Sequence, residues 1–262
     1  KNSFHGRTIA TLKATAQEDK HKYFAPYPDG FVYANDINEA INMIDDTIVG
    51  VMLELIQGEG GIFMQDIFQV QRLEKILKEK KLLLIIDEVQ TGVYRSGKFL
   101  ISQYFGIKPD IITLAKGLAS GIPIGVMMTS LKDVLKVTEH GSTFGGNHLS
   151  TTVCKKVLSI LEEYSNSGEL QENIKFFDDY LLFLVKKYPN TFLEKTGFGF
   201  MQGLVLKDEK LLNDIINSSL KNGVLVLKSG KNIIRFLPPL NISKKEMKKG
   251  FKRFEKTIRV RF

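Results

Sequence analysis

Four places in the chain hold side chains whose types and spacing can do chemistry. The first is Asp87-Glu88-Val89-Gln90-Thr91-Gly92, where two acids, an amide and a glycine follow the apolar run Leu82-Leu83-Leu84-Ile85-Ile86. A carboxylate at the end of a buried strand faces the crevice from a medium of low dielectric, and it keeps a cationic partner protonated. The structural alternative is that Asp87 or Glu88 caps the next helix. The second is Lys116, which ends Ile111-Ile112-Thr113-Leu114-Ala115-Lys116-Gly117-Leu118. A partly desolvated lysine has a lowered pKa and attacks carbonyls, the requirement for a Schiff base, although surface lysines at strand ends are also common. The third, Glu139-His140-Gly141-Ser142-Thr143-Phe144-Gly145-Gly146-Asn147, combines backbone N–H groups freed by glycine with two hydroxyls, a means of holding a phosphate. It is neither a P-loop nor a G-x-G-x-x-G, which argues against a nucleotide kinase or a dinucleotide fold, and the competing reading is a flexible turn before a helix. The fourth is a set of charges with unusual neighbours. Arg7 lies in Phe4-His5-Gly6-Arg7-Thr8, and Arg235 in the otherwise apolar Ile233-Ile234-Arg235-Phe236-Leu237. A guanidinium in such surroundings needs a carboxylate partner from protein or substrate, and Glu59 in Gln57-Gly58-Glu59-Gly60-Gly61 offers one.

The elements that must position these groups follow from the hydrophobic pattern. Continuous apolar runs at 47–54, 82–88, 110–116 and 125–129 read as buried strands. Between the first two, Val70, Leu73, Ile76 and Leu77 form one stripe of a helix over 68–80. Strand, helix, strand in this order implies a parallel sheet with helices on its faces, whose functional groups gather at the carboxyl ends of strands. A long helical stretch runs from 149 to about 164, breaks at 166–168 and resumes to about 187. Beyond it, strands at 199–206, 223–228 and 232–237 and helices at 209–222 and at the C-terminus describe a smaller α+β domain. The expected division is 1–157 for a large domain and 158–262 for a small one.

Composition sets the broad class. The 262 residues are 43% hydrophobic and 25% charged, the balance of a globular protein with a real core rather than a disordered chain. No apolar run approaches the roughly 18–20 residues of a membrane span. The single cysteine, Cys154, cannot form an intrachain disulfide, and the start of the chain shows no secretory progression of charged, apolar and small residues, so a reducing, cytoplasmic setting is expected. Net charge is +8, and residues 243–262 alone hold nine Lys or Arg against Glu246 and Glu255, which leaves the remainder nearly neutral. That stretch has a capping-box start, Ser243 with Glu246, and apolar Met247, Phe251, Phe254 and Ile258 at helical spacing. It reads as an amphipathic helix with a solvated basic face; no aromatic-interleaved or groove-reading motif accompanies it, so nucleic acid is not an expected partner.

Taken together, the segments around Phe4, Glu59, Asp87, Lys116, Ser142 and Arg235 resemble, in order, those of the class III aminotransferases that depend on pyridoxal 5′-phosphate, nearest the acetylornithine and ornithine aminotransferases. The resemblance implies fold type I: an α/β fold like that of aspartate aminotransferase, with a mostly parallel central sheet and a smaller α+β C-terminal domain. It further implies that Lys116 forms a Schiff base with the cofactor, Asp87 pairs with the pyridine nitrogen, Gln90 lies near the phenolic oxygen and Phe4 stacks on the ring. Ser142 and Thr143 would reach the phosphate of the neighbouring subunit in a homodimer with a shared active site. Arg235 would hold a substrate carboxylate and exchange it for Glu59, and Arg7 would bind the other. No metal is implied.

The implied reaction is ping-pong transamination of an ω-amino group, N-acetylornithine with 2-oxoglutarate giving N-acetylglutamate semialdehyde and glutamate in arginine biosynthesis. Ornithine, succinylornithine and 4-aminobutyrate remain alternative donors. Leu55 and His148 stand where the family usually has proline. The family's N-terminal portion, with a Gly-Thr or Gly-Ala loop that contributes phosphate-binding N–H groups, precedes the matched segments. Its absence from the sequence implies weak cofactor binding by this polypeptide alone, so a non-catalytic fragment is the competing reading. A basic surface binder acting through the C-terminal helix is the other.

Overall fold

The computed structural model describes residues 1–259; Arg261 and the rest of the 260–262 tail, the end of the basic stretch, lie outside the described residues. The chain forms two compact units, residues 1–55, 65–94 and 98–163 in one and residues 56–64, 95–97 and 164–262 in the other.

In the first unit, short helices α1 (Ile9–Ala14), α2 (Glu18–His21) and α3 (Ile37–Asn42) precede strand β1 (Gly50–Leu53). The chain then forms a hairpin of β2 (Ile56–Gln57) and β3 (Phe63–Met64), which belongs to the second unit. It returns through α4 (Ile67–Glu79), β4 (Leu83–Asp87), α5 (Ile101–Phe105), β5 (Ile111–Leu114), a 3-10 turn at Lys116–Ala119, β6 (Val126–Thr129) and α6 (His148–Asn166). Asp66 starts α4 by accepting the Gln69 N–H at 2.8 Å. Val70, Leu73 and Leu77 of its stripe are buried and Ile76 half-buried, as the 3.6-residue period requires.

The sheet has the order β1-β4-β5-β6. β1 and β5 flank β4 in parallel, with Leu53 opposite Ile86 and Asp87 opposite Thr113, whereas β6 runs antiparallel to β5. The reversal has a simple cause. A parallel return needs a crossover of a dozen or more residues, usually a helix, and only one 3-10 turn lies between Leu114 and Val126. Leu114, Leu118, Val93 and Leu100 form a buried cluster beneath this turn, against which Cys154 and Leu158 of α6 pack.

The second unit is an antiparallel sheet of order β7-β8-β10-β9, built from β7 (Phe192–Phe198), β8 (Met201–Leu206), β9 (Leu227–Ser229) and β10 (Ile233–Phe236), with helices α7 (Glu169–Lys187), α8 (Leu211–Lys221) and α9 (Lys244–Arg259). β7 has no counterpart among the strands expected from sequence, because Glu194, Lys195 and Gly197 interrupt any clean alternation. Its core is aromatic: Phe177 of α7 meets Phe200 edge-on at 5.5 Å, and Phe251 of α9 stacks on Tyr180 at 4.0 Å. The reciprocal Ser243–Glu246 capping box opens α9, and Met247, Phe251, Phe254 and Ile258 are buried. One acid shares that buried face. Burial alone would push the Glu255 carboxyl up, but bonds from Lys187, Tyr188 and Arg259 outweigh it and hold the group down to about 2.

Candidate active site

Asp87 is the last residue of β4 and is 5% exposed. Both its oxygens are engaged. Oδ1 accepts the Val89 N–H at 3.0 Å and the Thr113 hydroxyl at 3.1 Å, the latter from the register partner on β5. Oδ2 lies 2.9 Å from Nδ1 of His5, whose side chain is 3% exposed. A carboxylate only accepts, so Nδ1–H is the donor, and the arrangement holds the acid in one orientation. The segment bearing His5 is itself fastened: the Phe4 N–H donates to Glu54 at 2.7 Å, and the His5 N–H donates to the Thr15 hydroxyl at 2.9 Å. Sequence spacing carries no sign of a contact between residues 5 and 87, and His5 has no assigned role in the sequence reading beyond its place in a motif.

Glu88 settles the question of which acid caps a helix. It is 1% exposed and accepts the N–H groups of Ile101 and Ser102, at 2.8 and 2.9 Å, at the start of α5. Burial pushes its carboxyl up, opposed by those bonds and one from Thr91. Asp87 and Glu88 are adjacent in the chain, but only Asp87 is held by the two segments that lead to Phe4 and Lys116.

Lys116 lies two residues beyond β5, at the same end of the sheet as Asp87, because β4 and β5 are parallel. Its φ is +49°, in the left-handed region that a lysine adopts at a cost of about 1–2 kcal/mol. Such strain persists only where surroundings impose it; here the 3-10 turn is pinned by buried Leu118 and Ala119. The side chain is exposed rather than desolvated, the surface position that the sequence had left as the alternative for this residue. The turn between Glu88 and Gly92, which carries half-buried Gln90, packs closely against β5: a Cβ on Gly92 would stand 2.6 Å from Leu114.

Phe4 is half-buried, and the Arg7 guanidinium sits 5.3 Å above its ring. Ser142 and Thr143 are exposed, in a loop where the Ser142 hydroxyl accepts the Gly145 N–H at 2.9 Å. His148 begins α6, and Leu55 is fully buried. Among the described residues no cluster of His, Cys, Asp or Glu could hold a metal ion, and no helix is long and apolar enough to cross a membrane.

Within the second unit, Arg235 of β10 is 9% exposed and donates from Nη1 to the Gly58 carbonyl and to Glu59 Oε1, both at 3.0 Å. Its Nε is buried without a hydrogen-bond partner. A buried charged donor left unmatched is expensive, and the free edge of the guanidinium suits a carboxylate. The hairpin bearing Glu59 is held from β9, where the Ser229 hydroxyl donates to the Gly58 carbonyl at 2.9 Å and accepts the Gly61 N–H at 3.1 Å. Glu59 itself remains 38% exposed at the side chain.

These residues match the chemistry of pyridoxal phosphate at its ring nitrogen and at its aldehyde. A buried, fully engaged acid ends one strand, and a conformationally strained lysine follows the neighbouring strand at the same end of a mostly parallel sheet. The fold is that of the fold-type-I pyridoxal-phosphate-dependent transferases. The chain belongs to the class-III aminotransferases: the family model described as Aminotransferase class-III matches residues 1–258. It is 50% identical over 258 residues to a protein of Wolinella succinogenes named acetylornithine aminotransferase, covering 98% of this chain and 66% of that protein. Among solved structures, the ornithine aminotransferase of Toxoplasma gondii, described with partial occupancy of pyridoxal phosphate at its active site, aligns with a TM-score of 0.89 at 29% identity, over 99% of this chain and 62% of its own. The N-acetylornithine aminotransferase of Stenotrophomonas maltophilia aligns with a TM-score of 0.75 at 30% identity, over 87% of this chain and 61% of its own. The chain thus spans slightly under two thirds of the length of these relatives.

Proposed function

We propose that the protein is a pyridoxal-phosphate-dependent aminotransferase that moves an ω-amino group, converting N-acetylornithine and 2-oxoglutarate to N-acetylglutamate semialdehyde and glutamate. The observation that carries this reading is the buried Asp87 at the end of β4, opposite the strand that leads two residues later to Lys116. Family membership and the 50% identity to a protein named acetylornithine aminotransferase support it. Ornithine is the second reading for the donor, favoured by the similarity to the Toxoplasma enzyme.

When bound, the cofactor supplies an aldehyde that captures an amino group and a ring that takes up electrons. In this reading Asp87 accepts a hydrogen bond from the ring nitrogen and favours its protonated form, while His5 and Thr113 prevent the carboxylate from turning away. Phe4 would cover one face of the ring, and the Gln90 amide would be the donor for its phenolic oxygen. Lys116 would hold the aldehyde through Nζ, and the same amine, once free, would serve as the base and acid that takes a proton from the substrate carbon and returns it. Arg235 takes a substrate carboxylate on the guanidinium edge that includes Nε, and Arg7 takes the other. A donor with one carboxylate leaves Arg235 paired with Glu59, whereas 2-oxoglutarate, with two, displaces that acid.

Ser142 and Thr143 would bind the phosphate across the interface of a homodimer, a role suited to an exposed loop. Residues 1–157 would form the cofactor-binding part and 158–262 the small domain, in a cytoplasmic enzyme that needs neither nucleic acid nor membrane. Half-reaction spectra with a panel of ω-amino acids test the reading: N-acetylornithine is expected to bleach the visible band fastest. Preference for ornithine would select the second reading, and no response to any of them would refute both.

A further inference from the structure

We propose that Glu88, which touches neither cofactor nor substrate in the reading above, is a positioning residue that fixes Gln90 against the cofactor ring. The inference rests on that reading and extends it to a residue whose type suggests no such task. Glu88 is fastened at every polar group. Its N–H donates to the Thr113 carbonyl of β5 at 3.0 Å, and its carbonyl accepts the Gly92 N–H at 2.9 Å, closing the turn that carries Gln90. Of its carboxylate oxygens, Oε1 accepts the Ser102 N–H, while Oε2 accepts the Ile101 N–H and the Thr91 hydroxyl, the latter at 3.0 Å.

Three features make this more than an ordinary cap. The residue preceding α5 is Leu100, which has no side-chain acceptor, so the first N–H groups of that helix depend on an acid supplied from the far end of the loop. The segment so closed includes Val93 and Tyr94 at φ +54° and +65°, conformations that neither residue adopts without external constraint. Finally, Thr91 adjoins Gln90 directly, so the bond from its hydroxyl to Glu88 reaches the residue next to the one being positioned. Loss of Oε2 as an acceptor releases the turn on the Thr91 side of Gln90, while Asp87 keeps its own bonds to Val89 on the other side, to Thr113 and to His5.

The test is a double-mutant cycle of Glu88→Gln and Gln90→Ala in the cofactor-loaded protein. It reads the pH midpoint of the visible band together with amide exchange at Ile101 and Ser102 in the cofactor-free protein. E88Q is expected to speed exchange at both amides and to move the midpoint by about one unit, a tenfold change in protonation ratio. In the Q90A background E88Q is expected to move the midpoint no further. Faster exchange with an unmoved midpoint, or an equal shift with and without Gln90, would overturn the proposal and reduce Glu88 to a helix cap. Should E88Q not fold, Thr91→Val removes one bond to the same oxygen and is expected to shift the midpoint less, in the same direction; no shift would overturn it equally. A wild-type protein without any visible band would instead refute the cofactor reading, and this inference with it.

Discussion

Two charged groups in this chain are buried to nearly the same degree and treated in opposite ways. Asp87 is engaged at both oxygens by three donors, one from the turn after β4, one from β5 and one from the N-terminal segment, and nothing about it can rotate without breaking a bond. Arg235 is held through one terminal nitrogen, its Nε has no partner, and the acid opposite it is partly exposed. In the proposed reading the difference has a purpose: Asp87 would present one atom in one place throughout the reaction and is overdetermined, whereas Arg235 would accept two substrates in turn and is left unfinished. Glu255 shows that complete pairing alone marks no site: it is as fully bonded as Asp87, yet it sits between α7 and α9 and stabilises the fold.

The contrast can be broken by mutation, and the largest effect belongs to the fixed side. Lys116→Ala is expected to abolish the visible band and lower turnover by at least about 10³-fold; a mutant that kept both would remove Lys116 from the mechanism. On the adaptable side, Arg235→Lys keeps the charge but loses the planar fork. Steady-state kinetics should show KM for 2-oxoglutarate rising by about 10–100-fold with a smaller change in kcat. Glu59→Gln should change the ratio of the two half-reaction rates by about tenfold, and equal slowing of both would show that Glu59 is not a movable counter-ion. Thr113→Val removes one of the three donors to Asp87 and should cost about 1 kcal/mol, a few-fold in turnover, because two donors remain.

Glu255 sharpens the comparison through pH. Its carboxyl is held down to about 2 from an ordinary 4.5, so the folded state favours the ionised form. The stabilisation is fully present above about 4.5 and disappears as pH falls towards 2. Urea midpoints measured across that range should converge for wild type and Glu255→Gln, with the wild type more stable at neutral pH.

Much of this was legible in the sequence, and the exceptions share a cause. The strands ending at Asp87 and Leu114 show as apolar runs because one face is buried and the other half-buried, and the stripe of α9 shows because its period is helical. The capping box at Ser243 is local and equally visible. What escaped depends on tertiary contact: His5 beside Asp87, which of the two acids caps α5, the reversal of β6, and β7, whose polar residues hide its period. The exposure of Lys116 stayed undecided for the same reason, since its neighbours in sequence fit a partly desolvated lysine and a surface lysine equally.

The central claim is that Lys116 carries the cofactor. Borohydride reduction of the cofactor-loaded protein, followed by peptide mapping, tests it most directly. The account predicts one pyridoxyl adduct, on the peptide containing Lys116; an adduct on another lysine, or none, would contradict it.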